Sequence, residues 1–209
     1  MYTLFGTQGS GSAAIEMALD AANASYKVVR ASSWESDSAL DSLRQVNPLM
    51  QIPTLQLPDG SVLTESAAIL IHLGLSYPDA KLISSEPAAR AQMIRGLVYI
   101  AANCYSAIGI LDYPERWCAD IDDSARERII RGTRQQLHRN WDIFSDVLTA
   151  RPYLSGEQPG ALDFFAVVVS KWSGTRAHLQ AHRPEFLKTM QLIERHPLVE
   201  PVFARHWPA

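Results

Sequence analysis

The chain has 209 residues and a formal net charge of −3, a length that fits one or two domains. With 47 % hydrophobic and 20 % charged residues, the composition excludes an intrinsically disordered, collagen-like or coiled-coil protein. Neither half carries the strong positive field that a phosphate backbone demands, so we expect no nucleic-acid partner.

The charge pattern predicts a cytoplasmic protein. The first positive side chain is Lys27, so the pattern of a secretory signal is missing. The longest uncharged run of the second half, Gly96–Leu111, has 16 residues, too few to span a bilayer comfortably, and we expect no membrane partner. Cys104 and Cys118 form no C-x-x-C motif and are predicted to be reduced packing thiols.

Strand and helix signals alternate over the first 77 residues. An apolar strand over 2–5 leads into a glycine- and serine-rich loop over 6–11, then a helix, then a second strand at Val28-Val29. A strand, helix, strand unit of this length predicts a parallel pair with a right-handed crossover.

A hairpin and a helix follow this unit. Thr54–Leu57 and Val62–Thr64 flank a turn with Asp59-Gly60 at its tip, which is a hairpin signal, and a helix is predicted from Ser66 through Leu75. The pattern indicates a small sheet of about four strands with helices against it.

Helical periods dominate the rest of the chain. The interval 78–86, rich in proline, serine and acids, is the predicted linker between an α/β domain over 1–77 and an all-helical domain over 87–209. A Ser124-x-x-Glu127 capping box predicts the start of a long helix. Its apolar residues repeat at helical spacing: Ile130, Leu137, Trp141, Phe144 and Leu148.

A further helix is predicted near the end of the chain. Gly160 and Asp163 stand where another capping box would be, which favours a helix through Trp172 that ends at Gly174. His178 and His182 have the spacing of a metal pair, but no third ligand is close in sequence, so they are interpreted as surface residues.

Three segments of the first domain suit one small acidic ligand. In the first, Gly6–Ser12, the loop enters a helix, so free N–H groups and the positive helix end are expected to face an anion. Its sequence is neither a phosphate loop nor G-x-G-x-x-G. With Ser12 as the helix cap, the Ser10 hydroxyl is left to serve a ligand, although a plain turn serine is an equal alternative.

The second segment, Asn47–Thr54, contains Ile52-Pro53. A cis bond here would turn the backbone groups of Ile52 outward, where they could pair with an extended peptide. The third segment contains Glu65 and Ser66 at a helix start. They are either a cap with a dipole-favoured acid or, respectively, ligands for the ammonium and the carboxylate of an amino-acid head group.

These motifs resemble the cytosolic glutathione S-transferase family, especially its bacterial members. The resemblance runs in order over Leu4 to Leu19, the Asn47-to-Leu55 motif N-P-x-x-Q-I-P-T-L, the Asp59-to-Ser66 motif, and Ala161-Leu162-Asp163 ahead of Trp172. It implies a thioredoxin-like domain followed by an all-helical domain, a homodimer, and a glutathione site in the first domain. Hydrogen bonds suffice to ionise a thiol there, so no metal is expected.

The resemblance also implies roles for particular residues. It makes a cis Ile52-Pro53 bond expected, with the Ile52 backbone holding the cysteinyl part of glutathione. Glu65 and Ser66 would hold the γ-glutamyl end, and Gln51 would flank them.

The residue that activates the thiol is the least defined part of the resemblance. Ser10 falls where serine-type members place their hydroxyl, and Gly11 falls where bacterial members place a cysteine, so cysteine-based thiol exchange is not expected. Glu35 replaces the basic residue of those members. Tyr105 corresponds to a helical residue that lines the active site. We predict Ser10 as the catalytic residue, with Ser12 or Tyr105 as alternatives.

Two functions of different classes follow. The first is an enzyme that activates glutathione for attack on small hydrophobic electrophiles, as in detoxification, or a related glutathione-dependent isomerase or lyase. The second is a non-catalytic interaction or regulatory protein that keeps the fold. Gln51, Ile52-Pro53, Glu65 and Ser66 together favour the first.

Overall fold

A computed structural model describes residues 1–208. The first part of the chain contains a mixed sheet and three helices. In chain order these are β1 (Tyr2–Gly6), α1 (Ser12–Ala21), β2 (Tyr26–Arg30), α2 (Leu40–Val46), β3 (Thr54–Gln56), β4 (Val62–Leu63) and α3 (Ser66–Ser76).

The four strands are arranged in the order β2-β1-β3-β4. β1 and β2 are parallel, with Leu4 opposite Val28, which confirms the predicted crossover unit. β3 runs antiparallel to both β1 and β4, which confirms the predicted hairpin. Gly60, at the hairpin tip, has φ +91°, a conformation that glycine adopts without steric cost.

Helices pack against the sheet and bury its apolar side chains away from water. Leu4 of β1, Ile15 and Leu19 of α1, and Leu70 of α3 are fully buried in one core. α1 packs against α3 and also against the helix Ala161–Val169 of the second half, so the core continues from one half of the molecule into the other.

Seven α-helices make up the second part of the described chain. They are α4 (Pro87–Tyr99), α5 (Ser106–Asp112), α6 (Asp123–Val147), α7 (Ala161–Val169), α8 (Thr175–His182), α9 (Pro184–Glu194) and α10 (Glu200–His206). A π-helical segment, Ile100–Tyr105, joins α4 to α5. The architecture is therefore a thioredoxin-like unit followed by a helical one, and we propose that 78–86 is the linker between them.

The run Pro87–Asp112 is long and apolar enough to cross a membrane. Core helices of water-soluble proteins meet the same criterion, and 39 % of its most apolar window is buried inside this fold. Met93, Leu97, Ile100 and Cys104 are buried there. One face of the run therefore packs into the core.

Several predicted helix ends differ from the structure. α6 is capped by Asp122, whose side chain accepts a 2.6 Å hydrogen bond from the Ala125 N–H, so the predicted Ser124 cap is wrong. α7 ends at Val169, so Trp172 lies beyond it. Gly174, at φ +78°, precedes α8 and does not end α7.

The start of α7 is as predicted. The Asp163 carboxylate, fully buried, accepts the Gly160 N–H at 3.0 Å and also the N–H groups of Leu154 and Ser155 at 2.8 and 2.9 Å. One side chain thus satisfies three backbone donors of the connection before α7 and closes that connection onto the helix.

Candidate functional site

The three predicted ligand segments meet at one edge of the sheet. β1 and β4 run in the same direction, so the loop after β1 and the segment after β4 leave the sheet at the same edge. β3 runs the opposite way, and Phe5 at the end of β1 lies opposite Thr54 at the start of β3. Strand direction alone therefore places residues 6–11, 51–53 and 65–66 at the same edge of the sheet.

The hydroxyl of Ser10 is used within its own loop. It donates to the Thr7 carbonyl oxygen at 2.7 Å, accepts from the Ser12 N–H at 3.2 Å, and lies 2.9 Å from the Ser12 hydroxyl. Ser10 is 5 % exposed and Ser12 is fully buried. Ser12 is also the first residue of α1 and makes no side-chain cap bond, so the prediction that it is the N-cap is wrong; the cap position is Gly11.

At least three backbone donors of the loop are already paired, and the first is the Thr7 N–H, which donates to the Ser10 hydroxyl at 3.4 Å. The Gly9 N–H donates to Nδ1 of His206 at 3.1 Å, and the Ser12 N–H donates to Ser10. The expectation of free N–H groups along the whole loop is therefore wrong at these positions. At Gly9 the reason is tertiary, since α10 packs against the loop, whereas Thr7 and Ser12 donate to Ser10 within the loop.

Tyr105 reaches the loop from the helical part of the chain. A Cβ on Gly11 would stand 3.2 Å from Cζ of Tyr105 and closer to its hydroxyl oxygen. Burial, with Asp112 acting in the same direction, raises the pKa of Tyr105 to about 12, and a hydrogen bond from the Gly11 backbone opposes the shift. The phenol is therefore a neutral hydrogen-bond donor near neutral pH.

Aromatic side chains continue from Tyr105 to the end of the chain. The ring of Trp172 stacks on Tyr105 with centroids 5.5 Å apart, and Trp207 meets Trp172 edge-on at 6.5 Å. Nε1 of Trp207 would lie 3.9 Å from a Cβ on Gly9. Trp172 is half-buried beside the loop.

The segment before β3 has the predicted cis bond between Ile52 and Pro53. The carbonyl oxygen of Gln51 accepts from Asn47 Nδ2 at 3.0 Å and from the Thr54 hydroxyl at 2.8 Å, while the Gln51 side chain is exposed. Ile52 precedes the β1–β3 register, which begins at Thr54, so its backbone groups are not used by the sheet.

Glu65 and Ser66 stand at the start of α3 with their side chains unused by the fold. Glu65 has φ +65°, rare for a residue with a side chain, and makes no side-chain cap bond. Within residues 1–208, neither its exposed carboxylate nor the hydroxyl of the buried Ser66 has a hydrogen-bond or ion-pair partner. The predicted side-chain cap is therefore wrong: Glu65 stands at the N-cap position without a side-chain cap bond, and Ser66 is the first residue of α3.

Glu35 belongs to the wall of the loop. Its carboxylate accepts from the Thr7 hydroxyl at 2.6 Å, from Ser32 at 2.8 Å, and from Arg30 at 2.8 and 3.0 Å. The hydrogen bond from Arg30 and then that from Thr7 lower the pKa of Glu35 to about 2. The acid at this position thus links the loop to β2.

The sequence analysis missed the side of the loop formed by Glu16 and α10. Glu16 is 6 % exposed in an otherwise apolar stretch of α1, and a buried acid of this kind calls for a partner elsewhere in the chain. A cleft of about 370 Å³ lies here and does not include Ile52, Glu65 or Ser66. Its lining consists of Gly6, Thr7, Gln8, Glu16, Val28, Arg30, Glu35, Arg205 and His206.

The remaining candidates are structural. His178 bonds Asp142 at 3.0 Å and is half-buried, so its interpretation as a surface residue is only partly right, while His182 is exposed. Among residues 1–208 no group of three or more histidine, cysteine, aspartate or glutamate side chains is placed to hold a metal ion. Cys104 and Cys118 are both free, and burial raises the pKa of Cys104 to about 12.

The chain is similar to known proteins of one family. Residues 1–74 match the model of the glutathione S-transferase N-terminal domain. The chain is 33 % identical over 176 residues to the uncharacterized GST-like protein YncG of Escherichia coli K12, covering 82 % of each protein. It is 27 % identical over 156 residues to the maleylacetoacetate isomerase of Pseudomonas aeruginosa, covering 68 % of this chain and 71 % of that protein.

The fold is shared along nearly the whole chain with a solved structure. A glutathione transferase homologue from Sulfitobacter, crystallised with bound glutathione, superposes with a TM-score of 0.85 at 26 % identity and 97 % coverage of both chains. The protein belongs to the glutathione S-transferase family, in its bacterial branch.

Proposed function

We propose that the protein is a glutathione transferase that activates the thiol of glutathione for attack on small hydrophobic electrophiles. One observation carries the proposal: the Glu65 carboxylate and the Ser66 hydroxyl have no partner within residues 1–208, although both stand at the start of a well-formed helix. A non-glycine residue at positive φ costs about 1–3 kcal/mol, which is typical of functional positions.

The proposed site holds glutathione along the edge of the sheet. Glu65 binds the α-ammonium of the γ-glutamyl end, and Ser66 with the first N–H groups of α3 binds its carboxylate. The backbone of Ile52, next to Pro53, pairs with the cysteinyl part, and Gln51 flanks it. The sulfur then lies toward the loop 6–11, where Ser10 is the proposed catalytic residue and Tyr105 lines the site.

The thiol needs only modest help to ionise. A free thiol of pKa near 8.5 is only about 3 % thiolate at pH 7, and lowering this pKa by two units takes about 2.7 kcal/mol. A hydrogen bond to a charged group contributes about 1.5–3 kcal/mol and a helix N-terminus about 0.3–1 kcal/mol. A hydroxyl donor at the start of α1 is therefore sufficient. For Ser10 to donate to sulfur, its hydrogen must leave the Thr7 carbonyl.

The same proposal includes a cytoplasmic homodimer acting in detoxification. The Sulfitobacter homologue, which was crystallised with bound glutathione, supports the proposal that glutathione is the ligand. A second candidate, a glutathione-dependent isomerase, is favoured by the similarity to the maleylacetoacetate isomerase of Pseudomonas aeruginosa. A non-catalytic binding protein is the remaining alternative.

Calorimetric titration of the purified protein with glutathione tests the proposal, followed by a thiol-addition assay on a panel of electrophiles and a cis–trans isomerisation assay. We expect binding, turnover with at least one electrophile, and a loss of affinity of roughly tenfold or more in Glu65→Gln. Asp123→Asn is the matched control, because it removes an exposed acid from the first turn of α6.

Each function gives a different result in these assays. Binding without turnover on any substrate indicates the interaction protein, and isomerisation without conjugation indicates the isomerase. The absence of glutathione binding contradicts both enzymes and leaves only an interaction protein that keeps the fold.

A further inference from the structure

A buried link joins the loop 6–11 to the last helix of the chain. His206 of α10 and Glu16 of α1 are each 6 % exposed. Nδ1 of His206 lies 3.1 Å from the Gly9 nitrogen, and Nε2 lies 2.8 Å from Oε1 of Glu16. Through one imidazole ring, His206 thus contacts Gly9, 197 positions earlier in the sequence, and Glu16, 190 positions earlier.

The two contacts define the tautomer of the ring. A backbone N–H can only donate, so Nδ1 of His206 is the acceptor and carries no proton. The proton is then on Nε2 and is donated to the Glu16 carboxylate. Arg205 lies 3.4 Å from Oε2 of the same carboxylate and forms an ion pair with it. A ring with its one proton on Nε2 accepts the Gly9 N–H and donates to Glu16 at the same time.

The link adds a restraint from outside to a glycine-rich segment. Glycine at positions 6, 9 and 11 leaves the loop backbone unusually free, and Gly9 adopts φ +69°. Within the loop, the Ser10 hydroxyl donates a hydrogen bond to the Thr7 carbonyl oxygen. From outside the loop, His206 accepts the Gly9 N–H. This contact fixes the direction of that N–H and hence the peptide plane between Gln8 and Gly9.

We propose that His206 is a positioning residue for the glutathione site: its neutral Nδ1 accepts the Gly9 N–H and holds the loop 7–11 in the conformation that receives the ligand. The inference rests on the proposed glutathione transferase function. It gives α10 a part in glutathione binding although α10 supplies no group to the ligand.

Two substitutions separate the two contacts of the ring. An asparagine carbonyl oxygen can stand near the place of Nδ1 and accept the Gly9 N–H, whereas glutamine reaches the place of Nε2 and donates to Glu16 only. We expect His206→Gln to raise the KM and Kd for glutathione about fivefold, the effect of one lost hydrogen bond, with kcat changed less than about twofold. His206→Asn should stay within about twofold of the wild type in KM and Kd.

A histidine elsewhere in the chain offers the matched control. Nδ1 of His196 accepts the Leu198 N–H at 3.2 Å, a contact of the same kind between α9 and α10. His196→Gln should leave both constants for glutathione unchanged. If His206→Gln binds glutathione as the wild type does, or if His206→Asn is impaired as much as His206→Gln, the positioning role is wrong.

A measurement on the unaltered protein does not depend on whether the variants fold. The ¹⁵N ring signals of His206 should show the neutral Nε2–H tautomer, and a proton on Nδ1 overturns the inference while leaving the proposed function intact. A wild-type protein that binds no glutathione overturns the proposed function and this role together.

Discussion

The Tyr105 hydroxyl fills the space that a side chain on residue 11 would need. Gly11 has φ −61°, which any residue can adopt, so its backbone does not require glycine. What requires glycine is the Tyr105 ring, whose Cζ would lie 3.2 Å from a Cβ at position 11. The loop and the helical part of the chain are therefore fitted to each other at this point.

Gly11→Ala should destabilise the protein by about 1–3 kcal/mol, the usual cost of overpacking, because Tyr105 must move. Urea unfolding measures the loss. Tyr105→Phe removes the oxygen that lies closest to the added Cβ, so the double variant should recover most of the stability.

Gly109→Ala is the control for this substitution. A Cβ at this position of α5 meets no other atom within 4 Å, so the exchange should be neutral or stabilising. Equal losses in the two alanine variants would contradict the steric explanation.

Ser10→Ala should lower turnover with a model electrophile by about tenfold or more while glutathione still binds, since one hydrogen bond to the thiolate is lost. The decisive measurement is the ultraviolet titration of bound glutathione, in which the thiol pKa should rise in the variant. Ser145→Ala is matched to it, because that hydroxyl also donates to a backbone carbonyl at 2.7 Å, but within α6.

Unchanged turnover in Ser10→Ala would move the catalytic role to Ser12 or Tyr105. Tyr105→Phe then becomes the informative variant. The Ser12 hydroxyl is fully buried and lies 2.9 Å from the Ser10 hydroxyl, so it is less able to reach a ligand.

The sheet and its edge could be predicted because local signals specify them. Alternating apolar strands, the turn at Asp59-Gly60 and the N-P-x-x-Q-I-P-T motif each lie within a few residues of the structure that they define. α2 was missed because its apolar residues, Leu40, Leu43 and Val46, span only seven positions.

Other features depend on distant packing. The apolar period through Trp172 predicted a longer α7, but left-handed backbone at Ser173 and Gly174 turns the chain toward α8. The contact of His206 with Gly9 joins segments 197 positions apart, and no local pattern in either segment predicts it. No local pattern predicts the contact of Tyr105 with Gly11 either.

Asp163→Asn should lower the free energy of unfolding by at least about 2 kcal/mol. The two carboxylate oxygens accept three backbone N–H groups, and an amide NH₂ in place of one oxygen would face a donor. Urea unfolding at neutral pH measures the loss.

Asp41→Asn is the control for Asp163, since it breaks only an exposed pair with Arg44, which contributes little. If the two variants lose similar stability, Asp163 is not the anchor of the α7 connection.

Glu35 should make the stability of the protein fall at acid pH. Its folded pKa of about 2 lies below the ordinary value of 4.5, because Arg30 and then Thr7 bond the ionised carboxylate. The folded state therefore holds this proton less tightly than the unfolded state does. The stabilisation is fully present above pH 4.5 and is lost as the pH falls from there toward about 2.

Urea unfolding of the wild type and of Glu35→Gln at a series of pH values measures this dependence. The variant should be less stable at neutral pH, and the difference should shrink steadily below pH 4.5, because the protonated wild-type residue no longer binds Arg30 as an anion. Glu157→Gln, an exposed acid in the connection before α7, should show no such convergence. A wild-type advantage that persists undiminished to pH about 3 would mean that the Glu35 carboxylate acts on stability through packing and not through its charge.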